Sequence, residues 1–325
     1  MRGWMQAGLT ASLWAGAALA QTPPETAVGP PNWTAMKAFS DQAHTIGGDR
    51  WQPAADYFCT PGPRVNAVTD PAIEPVKLFD NLYALGDEGT VVYAVTTPGG
   101  IVLIDSLYPA KLESTLLPQM ARLGLDPAQV KYVLITHGHA DHYGGSGYFQ
   151  SKFGARVALS AKDWEMVAAA KPAPNVPSPT RDIVAEDGKP VMIGGVAFTP
   201  VEIPGHTPGS LGWIFPVKEG GRTHVAALFG SSILRTERLT PANLAEEYAS
   251  LNHFAATAAK LKADVELQNH PFYDRMWEKV AALKVRSPGQ PNPFVVGPDG
   301  YRRYAQTVGA CLKAAIARKG GKPPA

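Results

Sequence analysis

Hydrophobic and polar positions along the first part of the chain predict a β-sheet. Two runs, 76–85 and 90–97, are rich in apolar and β-branched residues and predict strands. A turn with glycine at both ends lies between them. A fully apolar run at residues 101–104 follows after another turn and ends at Asp105. A largely apolar run at residues 132–135 predicts one more buried strand.

Helical patterns lie between these strands. Leucine and methionine residues place one apolar face on residues 109–124, although Pro118 predicts a kink in that helix. Helices are also predicted at residues 147–153 and 161–170, with a strand between them. Strand and helix therefore alternate over residues 100–170, which is typical of α/β proteins.

The second half of the chain repeats the strand pattern and ends in a helix. Helices are predicted at residues 241–261 and 301–317, and strand-like runs at 190–193, 196–203, 211–216, 224–229 and 264–267. The predicted fold class is mixed α/β (α+β). A four-proline stretch at residues 171–180 cannot be regular structure, and it is either a plain connector or a loop that shapes the mouth of a site.

The first twenty residues have the pattern of a secretory signal peptide. Arg2 supplies a positive charge, residues 7–18 form a short apolar run, and residues 18–20 are a small-residue cleavage site. An uncleaved membrane anchor is the alternative, but the run is short for a membrane span. We expect cleavage near Ala20, a periplasmic or secreted bacterial protein, and no stable membrane insertion afterwards.

The remaining chain is predicted to have two parts. Residues 21–75 are rich in proline, threonine and small residues, and we expect an N-terminal extension that packs on a catalytic domain of residues 76–325. Within the extension, residues 32–46 predict a short helix, and residues 59–75 predict extended coil laid over a surface.

Composition narrows the possible functions. A chain of 325 residues that is 45% hydrophobic can bury a substantial core, and 30 basic against 28 acidic residues argue against a nucleic-acid partner. The two cysteines, Cys59 and Cys311, are an even pair in a chain predicted to be exported. Such a pair favours one disulfide, with two separately buried thiols as the alternative.

The candidate chemistry lies directly after the strand at residues 132–135. His137, His139, Asp141 and His142 fall within six positions there. Imidazole nitrogen and carboxylate oxygen are ligands that Zn²⁺ and similar ions accept. A polar surface loop with clustered histidines is the alternative, but four titratable groups after a buried strand need partners.

Two further histidines follow predicted strands. His206 lies in a tight turn between glycine and proline residues, and His270 lies before Pro271. With the first loop they make five histidines and one aspartate, enough for two sets of three ligands that leave positions open for water, as catalytic zinc sites do. The isolated histidines at 44, 224 and 253 are interpreted as ordinary hydrogen-bonded residues.

Two other residues near the histidine loop have open roles. Asp105, at the end of a strand, either orients a ligand histidine and its loop or only caps the helix that follows. Tyr143 either donates a hydrogen bond near the site or simply packs.

Three motifs together resemble those of a known family. Residues 136–145 (Thr-His-Gly-His-Ala-Asp-His-Tyr-Gly-Gly), 204–210 (Pro-Gly-His-Thr-Pro-Gly-Ser) and 269–271 (Asn-His-Pro) are similar to the metal motifs of the metallo-β-lactamase superfamily. The resemblance covers about residues 76–318. It implies an αββα sandwich, in which two mixed sheets pack face to face with helices outside and the metal site lies along one edge.

Within that superfamily the chain most resembles class B metallo-β-lactamases of the third subclass. This resemblance implies two zinc ions per chain and a zinc-bound hydroxide that attacks the lactam carbonyl, with Asp141 as the catalytic residue that orients the water. The implied ligands are His137, His139 and His206 for the first zinc, and Asp141, His142 and His270 for the second.

The substrate-binding positions agree less well with the third subclass. We align Ser232 with the serine that this subclass has where the first two subclasses have a cysteine ligand. Leu234 stands where a second serine or threonine commonly helps to hold the substrate carboxylate. Arg235 or Arg238 would supply the cation instead, unless both are plain surface charges.

The resulting hypothesis is an exported, monomeric di-zinc β-lactamase that acts on a small molecule. A zinc-dependent lactonase or esterase of the same fold is the alternative. A non-catalytic metal-binding or interaction protein is a third hypothesis. It predicts closed or lost ligand sets, whereas all six proposed ligands are present.

Overall fold

The computed structural model describes residues 28–60, 62, 65–230, 236 and 239–325. The helices of these residues are α1 (Trp33–Cys59), α2 (Leu117–Arg122), α3 (Ala140–Tyr143), α4 (Ser146–Phe153), α5 (Ala161–Ala169), α6 (Pro241–Lys260), α7 (Met276–Lys284) and α8 (Gly297–Arg318). The strands are β1 (Val76–Phe79), β2 (Leu82–Gly86), β3 (Val91–Thr97), β4 (Gly100–Ile104), β5 (Val130–Leu134), β6 (Arg156–Leu159), β7 (Ile183–Val184), β8 (Val191–Ile193), β9 (Val196–Glu202), β10 (Leu211–Glu219), β11 (Arg222–Leu228) and β12 (Val265–Leu267).

The first sheet has seven strands in sequence order from β1 to β7. Strands β1 to β4 pair antiparallel, and strands β4 to β7 pair parallel. Parallel neighbours need long crossover connections, which α2, α4 and α5 supply. The strand–helix alternation over residues 100–170 corresponds to this parallel half.

The second sheet has five strands in the order β12-β11-β10-β9-β8. Its strands pair antiparallel except for β11 and β12, which pair parallel across the crossover helix α6. The strand-like runs predicted in the second half of the chain form this sheet, with bounds shifted by one to three residues at most of their ends.

The two sheets pack face to face over an apolar core. Phe198 and Trp213 of the second sheet contact Tyr93 and Val102 of the first within one buried cluster. Helices α2, α4 and α5 cover the outer face of the first sheet, and α1, α6 and α8 cover the outer face of the second. The predicted αββα sandwich is confirmed. Burying one large apolar side chain, such as Phe254, stabilises the fold by about 1.5–3 kcal/mol.

The N-terminal helix is longer than the sequence predicts. Asn32 caps α1 by accepting a hydrogen bond from the Ala35 amide, at 2.9 Å. The helix then continues past residue 46 through a kink at Gly48, where φ is 53°, and ends at Cys59. Because glycine adopts this backbone conformation at no steric cost, the helix changes direction there and brings Trp51 against Tyr304 of α8.

A disulfide joins the two terminal helices. The sulfur atoms of Cys59 in α1 and Cys311 in α8 are 2.04 Å apart, and the bond spans 252 residues of sequence. The alternative of two separate thiols therefore does not hold in this structure.

Other local predictions differ from the structure. Residues 109–124 do not form one helix, because a 3-10 turn (Pro109–Lys111) and a π-helical turn (Leu112–Leu116) precede α2. Pro118 lies in the first turn of α2, where its missing N–H is tolerated, so it does not kink a longer helix. The two-residue strand β7 and helix α7 were not predicted.

The proline-rich loop at residues 171–180 packs against α4. The side chain of Gln150 donates to the Thr180 carbonyl at 2.9 Å and accepts from the Thr180 amide at 2.8 Å. The loop does not contribute to the cavity described below, so it serves as a connector within the part of the chain that the structure describes.

Candidate metal centre

Three strands deliver the predicted ligands to one edge of the sandwich. The loop that carries His137 follows β5, the turn that carries His206 follows β9, and His270 follows β12 by three residues. Among the described residues, no helix is both long and apolar enough to pass through a membrane.

The first set of ligand atoms contains three imidazole nitrogens. Nε2 of His206 lies 3.1 Å from Nε2 of His137 and 3.0 Å from Nδ1 of His139. All three atoms lie within 4.8 Å of one another. Such a set matches the three protein ligands of a catalytic zinc site.

The second set contains Asp141, His142 and His270, whose ligand atoms also lie within 4.8 Å of one another. All three residues are buried. Oδ2 of Asp141 lies 2.8 Å from Nε2 of His142. The structure thus places all six side chains in the two groups that the sequence predicted, although their role as zinc ligands stays a prediction.

Burial sets the protonation of most of these histidines. Burial, with the nearby charge of His139, lowers the pKa of His206 to about 3. Burial, with the charge of His142, likewise lowers the pKa of His270 to about 3. The pKa of His137 also falls well below 6.5 because of burial. Neutral imidazole is the form that binds a metal, so these side chains are ready to do so at neutral pH.

His142 has the opposite behaviour because two carboxylates face it. Burial lowers the pKa of His142, but Asp141 and Asp105 outweigh burial and raise it to about 10. Burial raises the pKa of Asp141, and the charge of His142 outweighs this and holds it well below its usual range. A metal bound to this set would therefore displace a proton from His142.

Asp105 orients His142 and the histidine loop at once. Its Oδ2 lies 2.7 Å from Nδ1 of His142, and its Oδ1 accepts from the Thr136 amide at 2.8 Å. A carboxylate on Nδ1 fixes the ring so that Nε2 faces the ligand set. Of the two roles considered from the sequence, this geometry supports the orienting one.

The donor set fits zinc. Nε2 of His142 is buried and meets no hydrogen-bond criterion among the described residues, although an oxygen of Asp141 lies 2.8 Å from it. A buried ring nitrogen without a partner is costly unless a ligand satisfies it. Nitrogen and carboxylate oxygen in two sets of three are the donors that zinc prefers.

Asp163 of α5 connects the two histidine-bearing loops of the first set. Its Oδ2 accepts from the Gly138 amide at 2.7 Å and from the Thr207 hydroxyl at 2.6 Å, and its Oδ1 accepts from the Gly209 amide at 2.8 Å. The sequence analysis missed this residue. A fully buried carboxylate on the inner face of a helix is the only sign of it, and burial is not visible in the sequence.

The turn between β2 and β3 orients His270. The Gly89 carbonyl accepts from Nδ1 of His270 at 2.6 Å, which leaves Nε2 for the ligand set. Asp87 shapes this turn by accepting from the amides of Gly89 and Thr90 at 2.9 and 2.7 Å. Sequence reasoning assigned the turn no role at the site.

A cavity of about 340 Å³ opens over the two sets. This volume is in the range of small-molecule sites. Its walls are Val65, Asn66, Tyr108, His137, His139, Ala140, Asp141, His206 and His270. Asn66 and Tyr108 were not predicted as site residues.

Some other predicted site residues lie elsewhere. Tyr143 is 7% exposed and packs in the core beneath the first sheet, so it does not line the cavity. Ser232 and Arg235 lie outside the residues that the structure describes. The isolated histidines pair with carboxylates: His44 with Asp56, His224 with Asp264 and His253 with Asp187.

A family model matches one part of the chain. Residues 85–218 match the model described as the Metallo-beta-lactamase superfamily. These residues form a metallo-β-lactamase domain. The predicted resemblance is therefore confirmed over this part of the chain, and the structure holds two groups of residues that could bind metal ions.

Solved structures of metallo-β-lactamases are similar to this chain. BJP-1, a subclass B3 metallo-β-lactamase of Bradyrhizobium japonicum, is 28% identical with a TM-score of 0.60, over 74% of this chain and 92% of that protein. The Rm3 metallo-β-lactamase is 29% identical with a TM-score of 0.60, over 73% of this chain and 91% of that protein.

A sequence relative within the superfamily carries a different name. Hydroxyacylglutathione hydrolase of Pseudomonas aeruginosa is 31% identical over 119 residues, which are 37% of this chain and 41% of the relative. The chain thus spans about two fifths of the length of the first such relatives that it matches.

Proposed function

We propose that this chain is an exported di-zinc hydrolase that opens the amide bond of β-lactams. The observation that carries the proposal is the convergence of two sets of three ligand atoms beneath one cavity of small-molecule size. Similarity to subclass B3 enzymes over nine tenths of their length supports the choice of substrate. We also propose that the protein acts as a monomer.

The proposed roles follow from the contacts of each side chain. His137, His139 and His206 would hold one zinc, and the second set would hold the other. Zinc in such a site makes water nucleophilic near neutral pH and polarises a carbonyl oxygen. Asp141 borders both the ligand set and the cavity, so its carboxylate is placed to orient the attacking water and to accept its proton.

The decisive experiment is an assay of the zinc-loaded protein without its first twenty residues. We expect it to open at least one penicillin, cephalosporin or carbapenem, and we expect a chelator to abolish the activity and added zinc to restore it. His206→Ala, which removes one ligand atom, serves as the inactive comparison. Absence of turnover on every β-lactam by a protein that retains two zinc ions would overturn the choice of substrate.

A second candidate is hydrolysis of an ester, thioester or lactone at the same site. The match to hydroxyacylglutathione hydrolases favours it, because those relatives act on a thioester by name. The same assay should therefore include an S-acyl glutathione and an acyl lactone. Chelator-sensitive activity on these compounds alone would support this candidate.

Export is part of the proposal and has its own support. The disulfide between Cys59 and Cys311 is stable in an oxidising compartment, and the signal-like pattern of residues 1–20 lies outside the described residues. N-terminal sequencing of the protein from periplasm and medium should give a chain that starts near Gln21. Recovery only of a chain that begins at Met1 would contradict the removal of residues 1–20.

A further inference from the structure

Asn66 lies outside the matched family domain and yet reaches the ligand sets. It precedes β1 by ten positions, whereas the family match begins at residue 85. Its Nδ2 atom donates to Oδ2 of Asp141 at 2.8 Å and to the hydroxyl of Tyr108 at 3.1 Å, and it makes a longer contact of 3.4 Å with the Thr90 hydroxyl. Because a side-chain amide carries two hydrogens on Nδ2, it can make both bonds at once.

Hydrogen bonds along the β2–β3 turn hold the Asn66 segment in place. The Glu88 amide donates to the Pro71 carbonyl at 2.9 Å, and the Ile73 amide donates to the Gly86 carbonyl at 3.1 Å. Lys111 donates to the Asp70 carbonyl. The position of Asn66 is thus fixed by backbone contacts and not by its own side chain alone.

Gly89 permits this close approach. A Cβ atom at position 89 would lie 2.8 Å from Cβ of Asn66 and 2.2 Å from Oδ2 of Asp70, which is too close for any side chain. The carbonyl of Gly89 also accepts from His270. The β2–β3 turn therefore serves two residues of the second set. It supplies the carbonyl that His270 bonds, and it leaves room for Asn66, the partner of Asp141.

The chemistry of the contact favours metal binding. A carboxylate oxygen has two lone pairs, so Oδ2 of Asp141 can accept from Asn66 with one and present the other to a metal. Asn66 is neutral, so it stabilises the carboxylate without placing a positive charge beside the cation. Partners of this kind, which orient a ligand, typically change metal affinity by about 10- to 100-fold when they are removed.

We propose that Asn66 is a positioning residue for the second ligand set, which the N-terminal segment supplies to fix the Asp141 carboxylate for metal binding. The inference rests on the metal centre of the proposed function but not on its substrate. Asn66 acts through Asp141 and needs no contact with the reacting atoms.

The test measures zinc affinity by competition with a chromophoric chelator. In Asn66→Ala we expect one of the two zinc dissociation constants to rise about tenfold or more while the other stays within about twofold. Asn66→Leu keeps about the size of the side chain but removes the donor to Asp141. It should therefore raise the same zinc dissociation constant by a similar factor.

Two further variants test whether the hydrogen bond from Asn66 to Asp141 accounts for the change in zinc affinity. Tyr108→Phe removes one further hydrogen-bond partner of Asn66 but keeps the bond from Asn66 to Asp141, so it should change the zinc constant less than Asn66→Ala does. Asn252→Ala is the matched control, because it removes an exposed side-chain amide on α6 that donates only within that helix, to the Tyr248 carbonyl. It should change neither zinc dissociation constant. Thermal unfolding of the zinc-free forms shows whether any variant has lost its fold.

The outcomes distinguish this inference from the proposed function. If Asn66→Ala and Asn66→Leu keep both zinc constants within about twofold of those of the unaltered protein, the role proposed for Asn66 is wrong. If the unaltered protein binds no zinc, the metal centre and this inference fail together. If zinc behaves as expected but no β-lactam is opened, only the substrate assignment is lost.

Discussion

Asp163 shows how one buried side chain organises a site without touching the ligand atoms. It accepts hydrogen bonds from both loops that supply the first histidine set, through Gly138, Thr207 and Gly209. The loops come from strands of different sheets, β5 and β9, so this carboxylate links the two halves of the sandwich at the metal edge.

We expect Asp163→Asn to weaken zinc binding at the first set. The asparagine NH₂ group would replace one carboxylate oxygen and would face a donor, either a backbone amide or the Thr207 hydroxyl. At least one of the hydrogen bonds that connect the two histidine loops would then be lost. The expected loss is about 10- to 100-fold in one zinc dissociation constant, measured by chelator competition. Asp182→Asn, which removes a carboxylate paired with Arg156 at the surface, is the matched control and should have no such effect.

The depressed pKa values of His206 and His270 predict acid sensitivity of the metal-free protein. The unfolded chain takes up protons on these histidines near pH 6.5, whereas the folded chain does so only near pH 3. Stability from these groups is therefore present above pH 6.5 and is lost as the pH falls towards 3. At pH 4.5 the loss is about 2–3 kcal/mol for each histidine.

Denaturant unfolding of the zinc-free protein between pH 7.5 and pH 4.5 measures this effect. His142 opposes this effect only above about pH 6.5, because the unfolded chain binds a proton there less well than the folded chain does, whereas below that pH His142 is protonated in both states. His206→Asn should flatten the profile, whereas His253→Asn, a half-exposed surface histidine, should not. An unchanged slope in His206→Asn would show that burial does not depress this pKa.

The sequence alone predicted those site residues that lie in short local motifs. The six predicted ligands occur in three local patterns, and the structure brings these patterns together. Asn66 and Asp163 were missed because their roles come from contacts between segments far apart in sequence. No local pattern around Asn66 indicates that it faces Asp141.

At the scale of elements, the paired terminal helices are the feature least visible in the sequence. Residues 32–46 predicted only part of α1, because the kink at Gly48 interrupts the helical pattern before Trp51. The contacts of α1 are with α8, at the other end of the chain, through pairs such as Trp51 and Tyr304. Helix propensity carries no information about such a partner, whereas the even cysteine pair did indicate the tie between the two ends.

We expect removal of the disulfide to lower stability. The double variant Cys59→Ser, Cys311→Ser should lose about 2–5 kcal/mol, because the unfolded chain is no longer restrained by a long cross-link. Urea unfolding of the oxidised protein and the variant measures the difference. A reducing agent should shift the unaltered protein to the value of the variant and should leave the variant unchanged.

At the scale of the whole molecule, the alternation of strands and helices and the apolar runs were sufficient to predict a mixed α/β fold. The resemblance then supplied two mixed sheets packed as an αββα sandwich with helices outside, which the structure confirms. The order of the strands could not be read from periodicity, because a buried run is apolar wherever it lies in a sheet. The 3-10 and π-helical turns at residues 109–116 were also hidden, since their apolar spacing resembles that of an α-helix.

The metal centre joins both halves of the molecule, so we expect zinc to stabilise the entire fold. At a free zinc concentration about 1,000 times the dissociation constant, one site adds about 4 kcal/mol. Thermal unfolding should therefore shift upward with zinc and return with a chelator. Magnesium at the same concentration is the control, and an equal shift with magnesium would contradict a nitrogen-rich site.

The bond between Cys59 and Cys311 also sets an order on maturation. Because 252 residues separate the two cysteines, every strand of both sheets must be synthesised before the second thiol exists. Cys59 therefore stays without its partner until the chain has been made as far as α8. Closure of the bond between the two terminal helices can only follow the synthesis of the strands that lie between them in sequence.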